Sequence, residues 1–352
     1  MFSTFTYKYL SFRRPTRPPH PLPAGVQRHF IKTPGGDIEV LHAPPASPSR
    51  GDDVTPLFFV HGGMGGAWVW AEYMPYFAAR GIPCYAVSMR GHGDSWYPSF
   101  LRMCYFTTKR MLADDIVAAV RWAQARERGK EVVLVGHSSG GGLSQFILSK
   151  QELKVKGLVL AGAVPGFGSL GVYMNWFRAD PWFSFRMIFH GWHPNSPLSH
   201  PALTRRIFFS NQLSDAYVDA FQARTSPYES FLWPLGMGYP FVDPQRVLGQ
   251  ITSWGGARQG LMVLYGGADV IMNETQMERL GRFYRTAFGA LVGKKKVDAE
   301  DQEVRSLAGE GGRDSVGHGV RIGVVPGAGH HLQNDVTWEI GATKLLEFYD
   351  QL

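Results

Sequence analysis

The sequence predicts an α/β fold in which a mostly parallel sheet of eight strands is flanked by helices and interrupted by an inserted helical segment. Short apolar runs, such as Leu57–Val60, Cys84–Val87 and 132–135, are typical of strands buried on both faces. Helical stretches separate these runs at close spacing, which indicates parallel strands joined by right-handed crossovers. With 352 residues, 44% of them hydrophobic, the chain can bury a sizeable core.

The predicted elements form a core that is split along the chain into residues 27–166 and 255–352. The predicted strands are 27–32 and 38–42, which form a hairpin, followed by 57–60, 84–87, 132–135, 158–161, 261–265 and 320–325. The predicted helices are 68–80, 107–128, 140–150, 274–288 and 336–349.

Two segments do not follow this alternation. Residues 167–254 hold 19 aromatic residues in 88 positions, against 28 in the other 264, and show no long strand. We expect a mostly helical insertion there and call it the cap. Residues 291–319 are polar and rich in glycine, and their mixed charges predict a solvated, mobile loop within the core.

The net charge of +7 is concentrated at the N-terminus. Residues 1–36 hold six of the 36 basic residues and no acid, so the remaining 30 basic residues face 29 acids, and the rest of the chain carries +1. The six are Lys8, Arg13, Arg14, Arg17, Arg28 and Lys32. A nearly neutral body gives no reason to expect a nucleic-acid partner.

Residues 1–26 are expected to be a disordered basic segment, because they are rich in arginine and proline. Their Ser, Thr and Arg content and their lack of acids are also those of a mitochondrial transit peptide. The segment has no apolar stretch of the secretory kind, and no apolar run in the chain is long enough to span a bilayer. We therefore expect an intracellular protein, cytoplasmic or mitochondrial, without a transmembrane segment.

The pentad Gly136-His137-Ser138-Ser139-Gly140 joins a predicted strand to a predicted helix. A Gly-x-Ser-x-Gly sequence in this context is typical of a nucleophile elbow, a tight turn that projects the serine hydroxyl from the sheet. Glycines are needed on either side, because a Cβ there would collide with the neighbouring strand or helix. The pattern predicts that Ser138 is a nucleophile.

A serine nucleophile requires a base and an orienting acid. Asp269 follows the predicted strand 261–265, whereas the turn at 164–166 offers no carboxylate, so Asp269 is the favoured acid. The strand 320–325 leads to two adjacent histidines. We favour His330 as the base because it directly follows Gly-x-Gly, and His331 remains the alternative.

The strand Leu57–Val60 ends in His61-Gly62-Gly63-Met64-Gly65-Gly66. Such a glycine-rich loop lets backbone N–H groups approach a substrate carbonyl. We expect the N–H groups of Gly63 and Ser139 to form an oxyanion hole, with Met64 as the alternative to Gly63. The phosphate-binding pattern Gly-x-x-x-x-Gly-Lys-Ser/Thr is absent, and His61 is expected to be structural.

Taken in order, these motifs resemble the α/β-hydrolase fold superfamily. The resemblance covers about residues 27–350 and rests on four segments, namely His61-Gly62-Gly63, Arg90-Gly91-His92-Gly93-Asp94-Ser95, the pentad 136–140, and Asp269 followed by Gly329-His330. It implies a serine hydrolase of esters, amides or lactones, most similar to the monoglyceride-lipase and small-esterase branch. The polar insertion and the doubled histidine depart from the family pattern.

The resemblance implies acyl transfer through Ser138, His330 and Asp269, without a metal or an organic cofactor. The aromatic cap favours an apolar small-molecule ester or lactone as substrate. The residues expected to contact it are Met64, His137, Trp176, Trp182 and Trp233. Two alternatives stay open: an acyltransferase, lyase or cyclase step in secondary metabolism that uses the same triad, and a non-catalytic member of the fold that binds a small ligand.

Overall fold

A computed structural model of the chain describes residues 2–46, 54–309 and 313–352. The described residues form ten strands in a single sheet. The strands are β1 Gln27–Lys32, β2 Asp37–Ala43, β3 Leu57–Val60, β4 Cys84–Val87, β5 Val133–His137, β6 Gly157–Ala161, β7 Leu261–Gly266, β8 Arg305–Ser306, β9 Ser315–Gly317 and β10 Val320–Val325.

The strand order across the sheet is β1-β2-β4-β3-β5-β6-β7-β10-β9-β8. The six strands from β4 to β10 in this order are parallel, whereas β1, β2, β9 and β8 add antiparallel edges. Because parallel strands end at the same edge of a sheet, the loops that follow β3, β5, β7 and β10 lie side by side. These loops carry the glycine-rich turn at 61–66 and the three predicted triad residues.

All eight predicted strands are present, and β8 and β9 are additional. Both lie in the 291–319 segment, which was expected to be a loop throughout. They are two and three residues long and form through pairing with each other and with β10, a long-range cause that leaves little trace in their own sequence. Residues 310–312 of this segment lie outside the described residues.

Helices cover both faces of the sheet. They are α1 Tyr73–Ala78, α2 Phe100–Phe106, α3 Lys109–Arg126, α4 Ser139–Ser149, α5 Leu170–Ala179, α6 Phe183–Phe189, α7 Pro201–Phe208, α8 Asp215–Arg224, α9 Leu232–Leu235, α10 Pro244–Leu248, α11 Glu274–Gly293 and α12 Trp338–Asp350. Short 3₁₀ helices span Phe2–Thr4, Ala67–Trp70 and Ser196–Leu198. Helices α3, α4, α10 and α11 pack in one layer, and α1 packs with α12.

The cap, residues 167–254, contains α5 to α10 and the turn Ser196–Leu198.

The helices of the core differ from the prediction in two places. The predicted helix 68–80 is divided into the 3₁₀ turn Ala67–Trp70 and α1, and α2 was not predicted. Within the described ranges, no helix is both long enough and apolar enough to cross a membrane.

The N-terminal segment differs from the expected disordered tail, because residues 2–26 lie against folded parts of the chain. The hydroxyl of Tyr7 donates to the carbonyl oxygen of Phe189 at 2.6 Å, and the ring centroid of Phe12 is 4.7 Å from that of His193. Aromatic side chains that would be costly to leave in water thus find partners on the cap. Nothing in this arrangement bears on the transit peptide, which stays a prediction.

Further along, charged groups anchor the same segment to the Arg-Gly-His-Gly-Asp-Ser turn at 90–95. The carboxylate of Asp94 accepts hydrogen bonds from the guanidinium groups of Arg17 and Arg28, each at 2.9 Å, and from the backbone N–H of His20 at 3.0 Å. Asp94 is largely shielded from solvent, which strengthens these charge-assisted bonds.

Candidate active site

Ser138 lies in a tight turn between β5 and α4, with φ 52° and ψ −122°. A positive φ is uncommon for a residue other than glycine and persists only where the surroundings enforce it. The backbone N–H of Ser138 donates to the carbonyl oxygen of Ala161 at 3.0 Å, and its carbonyl oxygen accepts from the N–H of Val164 at 2.9 Å. These bonds tie the turn to the neighbouring chain at the end of β6.

The glycines that flank Ser138 are required by close packing. A Cβ on Gly136 would lie 2.6 Å from the Cα atom of Gly141, and one on Gly140 would overlap the carbonyl oxygen of His61. The sequence prediction of an elbow rested on this steric demand. Ser138 itself is only partly buried.

A continuous hydrogen-bonded chain joins Ser138 to His330 and Asp269. The Oγ atom of Ser138 is 2.9 Å from Nε2 of His330, and Nδ1 of His330 is 2.7 Å from Oδ2 of Asp269. Because a carboxylate oxygen only accepts, Nδ1 carries the proton and Nε2 is free to accept from the serine hydroxyl. The structure therefore brings together three residues that lie far apart in the sequence.

The second oxygen of Asp269 is also occupied. Oδ1 accepts hydrogen bonds from the backbone N–H groups of Ile271 and Met272, both at 2.9 Å. The carboxylate is 5% exposed and is held on both sides, so its orientation towards the imidazole is fixed.

His331, the alternative base, faces away from Ser138. Its Nδ1 atom is 3.2 Å from Oδ1 of Asn334. Its ring packs against Phe208 and Phe221 of the cap, with centroid distances of 4.6 and 4.8 Å. Of the two histidines, His330 is the one within hydrogen-bond reach of the serine.

The two expected oxyanion donors lie next to each other. A Cβ on Gly63 would be 3.9 Å from Oγ of Ser139. Met64 is not equivalent to Gly63, because its N–H donates to Oε2 of Glu229 at 2.9 Å. Among the described residues, no acceptor engages the N–H of Gly63 or that of Ser139. These two groups are therefore available to a substrate.

Comparison with known proteins decides the family. The sequence model of the alpha/beta hydrolase family matches residues 57–337, most of the chain, and this range includes Ser138, Asp269 and His330. The chain belongs to the alpha/beta hydrolase family. The parallel sheet, the elbow after β5 and the acid and histidine after β7 and β10 are arranged as this fold requires.

Individual relatives of this alpha/beta hydrolase are distant. Protein ABHD8 of Mus musculus is 27% identical over 155 residues, which is 44% of this chain and 30% of that protein. The chain thus spans less than a third of the length of this curated relative. Among solved structures, an esterase from Exiguobacterium antarcticum (17% identity, TM-score 0.59) and a thermophilic esterase from Thermogutta terrifontis (16%, 0.58) are similar over 91% and 92% of this chain and 98% of theirs. At such identities the likeness shows the fold.

The predicted substrate-contact residues fall into different places in this alpha/beta hydrolase. The ring of Trp233 approaches Gly63, since a Cβ on that glycine would lie 3.2 Å from it. Met64 is buried in the glycine-rich loop. Trp176 contacts the ring of Phe183 in the cap, and Trp182, 41% exposed, contacts that of Phe185. Whether these side chains touch a substrate stays a prediction.

The structure corrects the prediction that His137 contacts substrate. His137 is fully buried, and its Nε2–H donates to the carbonyl oxygen of His330 at 2.9 Å. Its ring lies between those of His330 and His331, with centroid distances of 4.8 and 4.6 Å. As the last residue of β5, it lies beneath the elbow and holds the backbone of His330.

Sequence reasoning missed Glu229, a carboxylate that the cap contributes next to the glycine-rich loop. Besides the N–H of Met64, its Oε2 accepts from Nε2 of His92 at 2.8 Å, and its Oε1 accepts from the N–H of Ser230 at 2.8 Å. The other nitrogen of His92 donates to the carbonyl oxygen of Arg90 at 2.9 Å. The side chains of Glu229 and His92 are both almost completely buried.

The charges of this buried pair support each other. Burial by itself would lower the pKa of His92, but the Glu229 carboxylate and the hydrogen bonds outweigh it and raise this pKa above its ordinary value. Burial likewise opposes ionisation of Glu229, but His92 and the backbone donors lower its pKa overall. The sequence around Glu229 contains no motif that marks it. Only the need of the buried His92 for a charged partner could have pointed to this acid.

The described residues contain no group of three His, Cys, Asp or Glu side chains that could hold a metal ion. The candidate site brings together a serine hydroxyl, an imidazole, a carboxylate and backbone N–H groups, which are the kinds of group that acyl transfer requires.

Three other histidines near the site give a prediction on stability. Burial lowers the pKa of His61 to about 3 and the pKa values of His137 and His331 well below their usual value. Unfolding restores an ordinary pKa of 6.5, so below that pH the unfolded chain binds more protons. Well below pH 6.5, the three groups together should reduce the free energy of unfolding by up to about 4 kcal/mol for each unit that the pH falls. Urea titrations between about pH 7 and 5 measure the total slope, to which other histidines with lowered pKa values, such as His42 and His190, also contribute.

The matched variant for this measurement is His331→Phe, which keeps an aromatic ring between Phe208 and Phe221 and removes one titrating group. It should reduce the slope of unfolding free energy against pH by about a third of the three-histidine contribution. An unchanged slope in this variant would contradict the assignment of His331 as a buried neutral group.

Proposed function

We propose that this chain is a serine hydrolase that cleaves a carboxylic ester or lactone of an apolar small molecule through an acyl-enzyme on Ser138. The observation that carries the proposal is the hydrogen-bonded chain from Ser138 through His330 to Asp269, at a serine that is only partly buried. Membership of the family and the likeness to two solved esterases support the same class of reaction.

In the proposed reaction, Nε2 of His330 takes the proton of Ser138 as Oγ attacks the substrate carbonyl. Asp269 stabilises the imidazolium that forms and keeps it oriented. The imidazolium then gives its proton to the leaving alkoxide, so the alcohol departs and the acyl group stays on Oγ. A water molecule, deprotonated in turn by His330, releases the acid and restores the serine.

The negative charge on the tetrahedral oxygen requires donors that are already in place. The N–H groups of Gly63 and Ser139 are the candidates, since neither is used by another described residue. Ser139 is also the first residue of α4, so the positive end of the helix dipole faces the same oxygen.

The proposed apolar substrate follows from the side chains around the reacting atoms. The ring of Trp233 lies beside Gly63, and the ring of Phe208 is 5.7 Å from that of His330. Aromatic walls next to the nucleophile favour an apolar acyl or alcohol group over a charged one, because burying an unpaired charge there is costly.

The proposal is tested with a series of p-nitrophenyl esters and aryl lactones and with a fluorophosphonate probe. We expect turnover that increases from acetyl to longer or aromatic acyl groups, and stoichiometric labelling that peptide mass spectrometry locates at Ser138. Product analysis distinguishes release of the free acid from transfer to an added alcohol. Absence of both turnover and labelling would indicate a binding protein, and acetyl esters as the best substrates would contradict the apolar site.

A further inference from the structure

Helix α5 turns an apolar stripe towards solvent. Leu170, Tyr173, Met174 and Phe177 are spaced three and four residues apart, so they share one face of the helix. Their exposed fractions are between 38% and 58%. Helix α5 buries Val172 and packs Trp176 against the core, and it leaves this second apolar stripe in solvent along its whole length.

The exposed stripe continues on α6 and the turn that follows it. The large side chains there are 41% to 63% exposed, and they are Trp182, Phe185, Ile188, Phe189 and Trp192. Together, residues 170–192 hold nine of the twenty large hydrophobic side chains that are exposed in the described ranges. We call these nine residues the apolar face. A cluster of exposed apolar side chains of this kind marks a surface that binds a protein, a membrane or a ligand.

Cations of the N-terminal segment border the apolar face. The ring of Tyr7 is 5.8 Å from that of Phe189, and Phe12 packs on His193 just beyond the face. The neighbours of these two anchors in sequence, Lys8, Arg13 and Arg14, are exposed. The N-terminal segment therefore runs along the edge of the apolar face.

The sequence of these segments contains few acids. Residues 1–36 contain none, and Asp180 is the one acid between residues 153 and 214. The carboxylate of Asp180 is buried and paired with Arg186, so it presents no charge to solvent. Arg17 of the segment is paired with Asp94, but no described acid forms an ion pair with Lys8, Arg13 or Arg14, so the apolar face is bordered by unpaired positive charge.

We propose that the apolar face docks on an anionic phospholipid bilayer. The aromatic and aliphatic side chains of α5 and α6 enter the boundary between headgroups and acyl chains, where tryptophan and tyrosine are favoured. Lys8, Arg13 and Arg14 contact lipid phosphates at the rim. A second copy of the chain is a poorer occupant, because a self-complementary contact would bring two sets of the same cations together. The inference concerns binding and does not depend on the proposed chemistry.

The test is co-sedimentation of the full chain with vesicles of phosphatidylcholine that contain about 30 mol% phosphatidylglycerol, compared with phosphatidylcholine alone. We expect binding to the anionic vesicles that is at least about tenfold tighter than to neutral ones. Raising the salt concentration from about 0.1 to 0.5 M should weaken it, because the lipid charge is then screened. Equal binding to both vesicles, or binding to neither, would overturn the proposal.

Variants separate the two components of the surface. Phe185→Asp with Ile188→Asp, and Arg13→Glu with Arg14→Glu, change exposed side chains and should each weaken binding to anionic vesicles about tenfold or more. The matched controls are in the polar insertion, namely Val304→Asp, 47% exposed, and Lys294→Glu with Lys295→Glu, and they should bind like the unchanged chain. Equal losses in test and control variants, or a dimer in sedimentation velocity that the face variants abolish while vesicles do not bind, would overturn the proposal.

Discussion

Replacing Ser138 by alanine is expected to lower ester turnover by about 10⁴-fold or more, because it removes the hydroxyl that the described structure places within hydrogen-bond reach of His330. Alanine removes only the Oγ atom, and the backbone bonds of Ser138 to Ala161 and Val164 are unaffected. The fold should therefore persist. The measurements are kcat and KM on a p-nitrophenyl ester that the unchanged protein hydrolyses, together with the midpoint of thermal unfolding.

The control is Ser144→Ala, the same chemical change farther along α4. The hydroxyl of Ser144 donates to the carbonyl oxygen of Gly140 at 2.8 Å and is buried, so its loss affects stability slightly and the reacting atoms little. We expect kcat within about threefold of the unchanged protein. If the two variants lost activity equally, the effect of Ser138→Ala would be structural and the proposed nucleophile would be wrong.

The residues of the candidate triad could be found in the sequence because their signals are local. Ser138, Asp269 and His330 each follow an apolar strand and lie among glycines, and a parallel sheet brings the ends of such strands together. The choice between His330 and His331 needed the structure. Both are adjacent and both are buried, and only the direction of the chain after β10 decides which ring meets the serine.

Features that depend on distant partners could not be predicted in the same way. The aromatic residues of the N-terminal segment meet cap residues about 180 positions later, as Tyr7 does with Phe189. Glu229 and His92 are 137 positions apart. Neither pairing produces a periodicity or a motif, and the energy of each arises only after the cap has packed on the core.

The second large effect is expected from Glu229→Gln. The carboxylate accepts hydrogen bonds from the N–H of Met64 and from His92, and it supplies the charge opposite the buried His92 imidazolium. An amide has one acceptor oxygen and an NH2 donor in place of the other, so this donor must face either Met64 and His92 or the N–H of Ser230, and at least one buried donor loses its acceptor while the cation is left unpaired. Breaking a buried pair from one side should lower the free energy of unfolding by about 3–5 kcal/mol, measured by urea titration.

The same variant should lower activity through the loop that Glu229 holds. Gly63 immediately precedes Met64, so a weaker or lost bond to the Met64 N–H displaces a proposed oxyanion donor without removing any reacting group. We expect kcat to fall about 10- to 100-fold with a smaller change in KM, because the donor acts mainly on the charge of the transition state. Unchanged kcat with lowered stability would show that Glu229 only joins the cap to the core.

The pH dependence of the Glu229→Gln effect distinguishes a charged pair from ordinary packing. The raised pKa of His92 contributes stability that is complete below pH 6.5 and is lost as the pH rises through the pKa of the folded state. The lowered pKa of Glu229 contributes stability that is complete above pH 4.5 and is lost as the pH falls through the pKa of the folded state. The loss of unfolding free energy in Glu229→Gln should thus be largest between these two limits and smaller at higher pH.

Adding His92→Gln should recover part of the stability, because no buried charge is then unpaired, whereas kcat should stay low. A loss that is the same at every pH would contradict the charged pair.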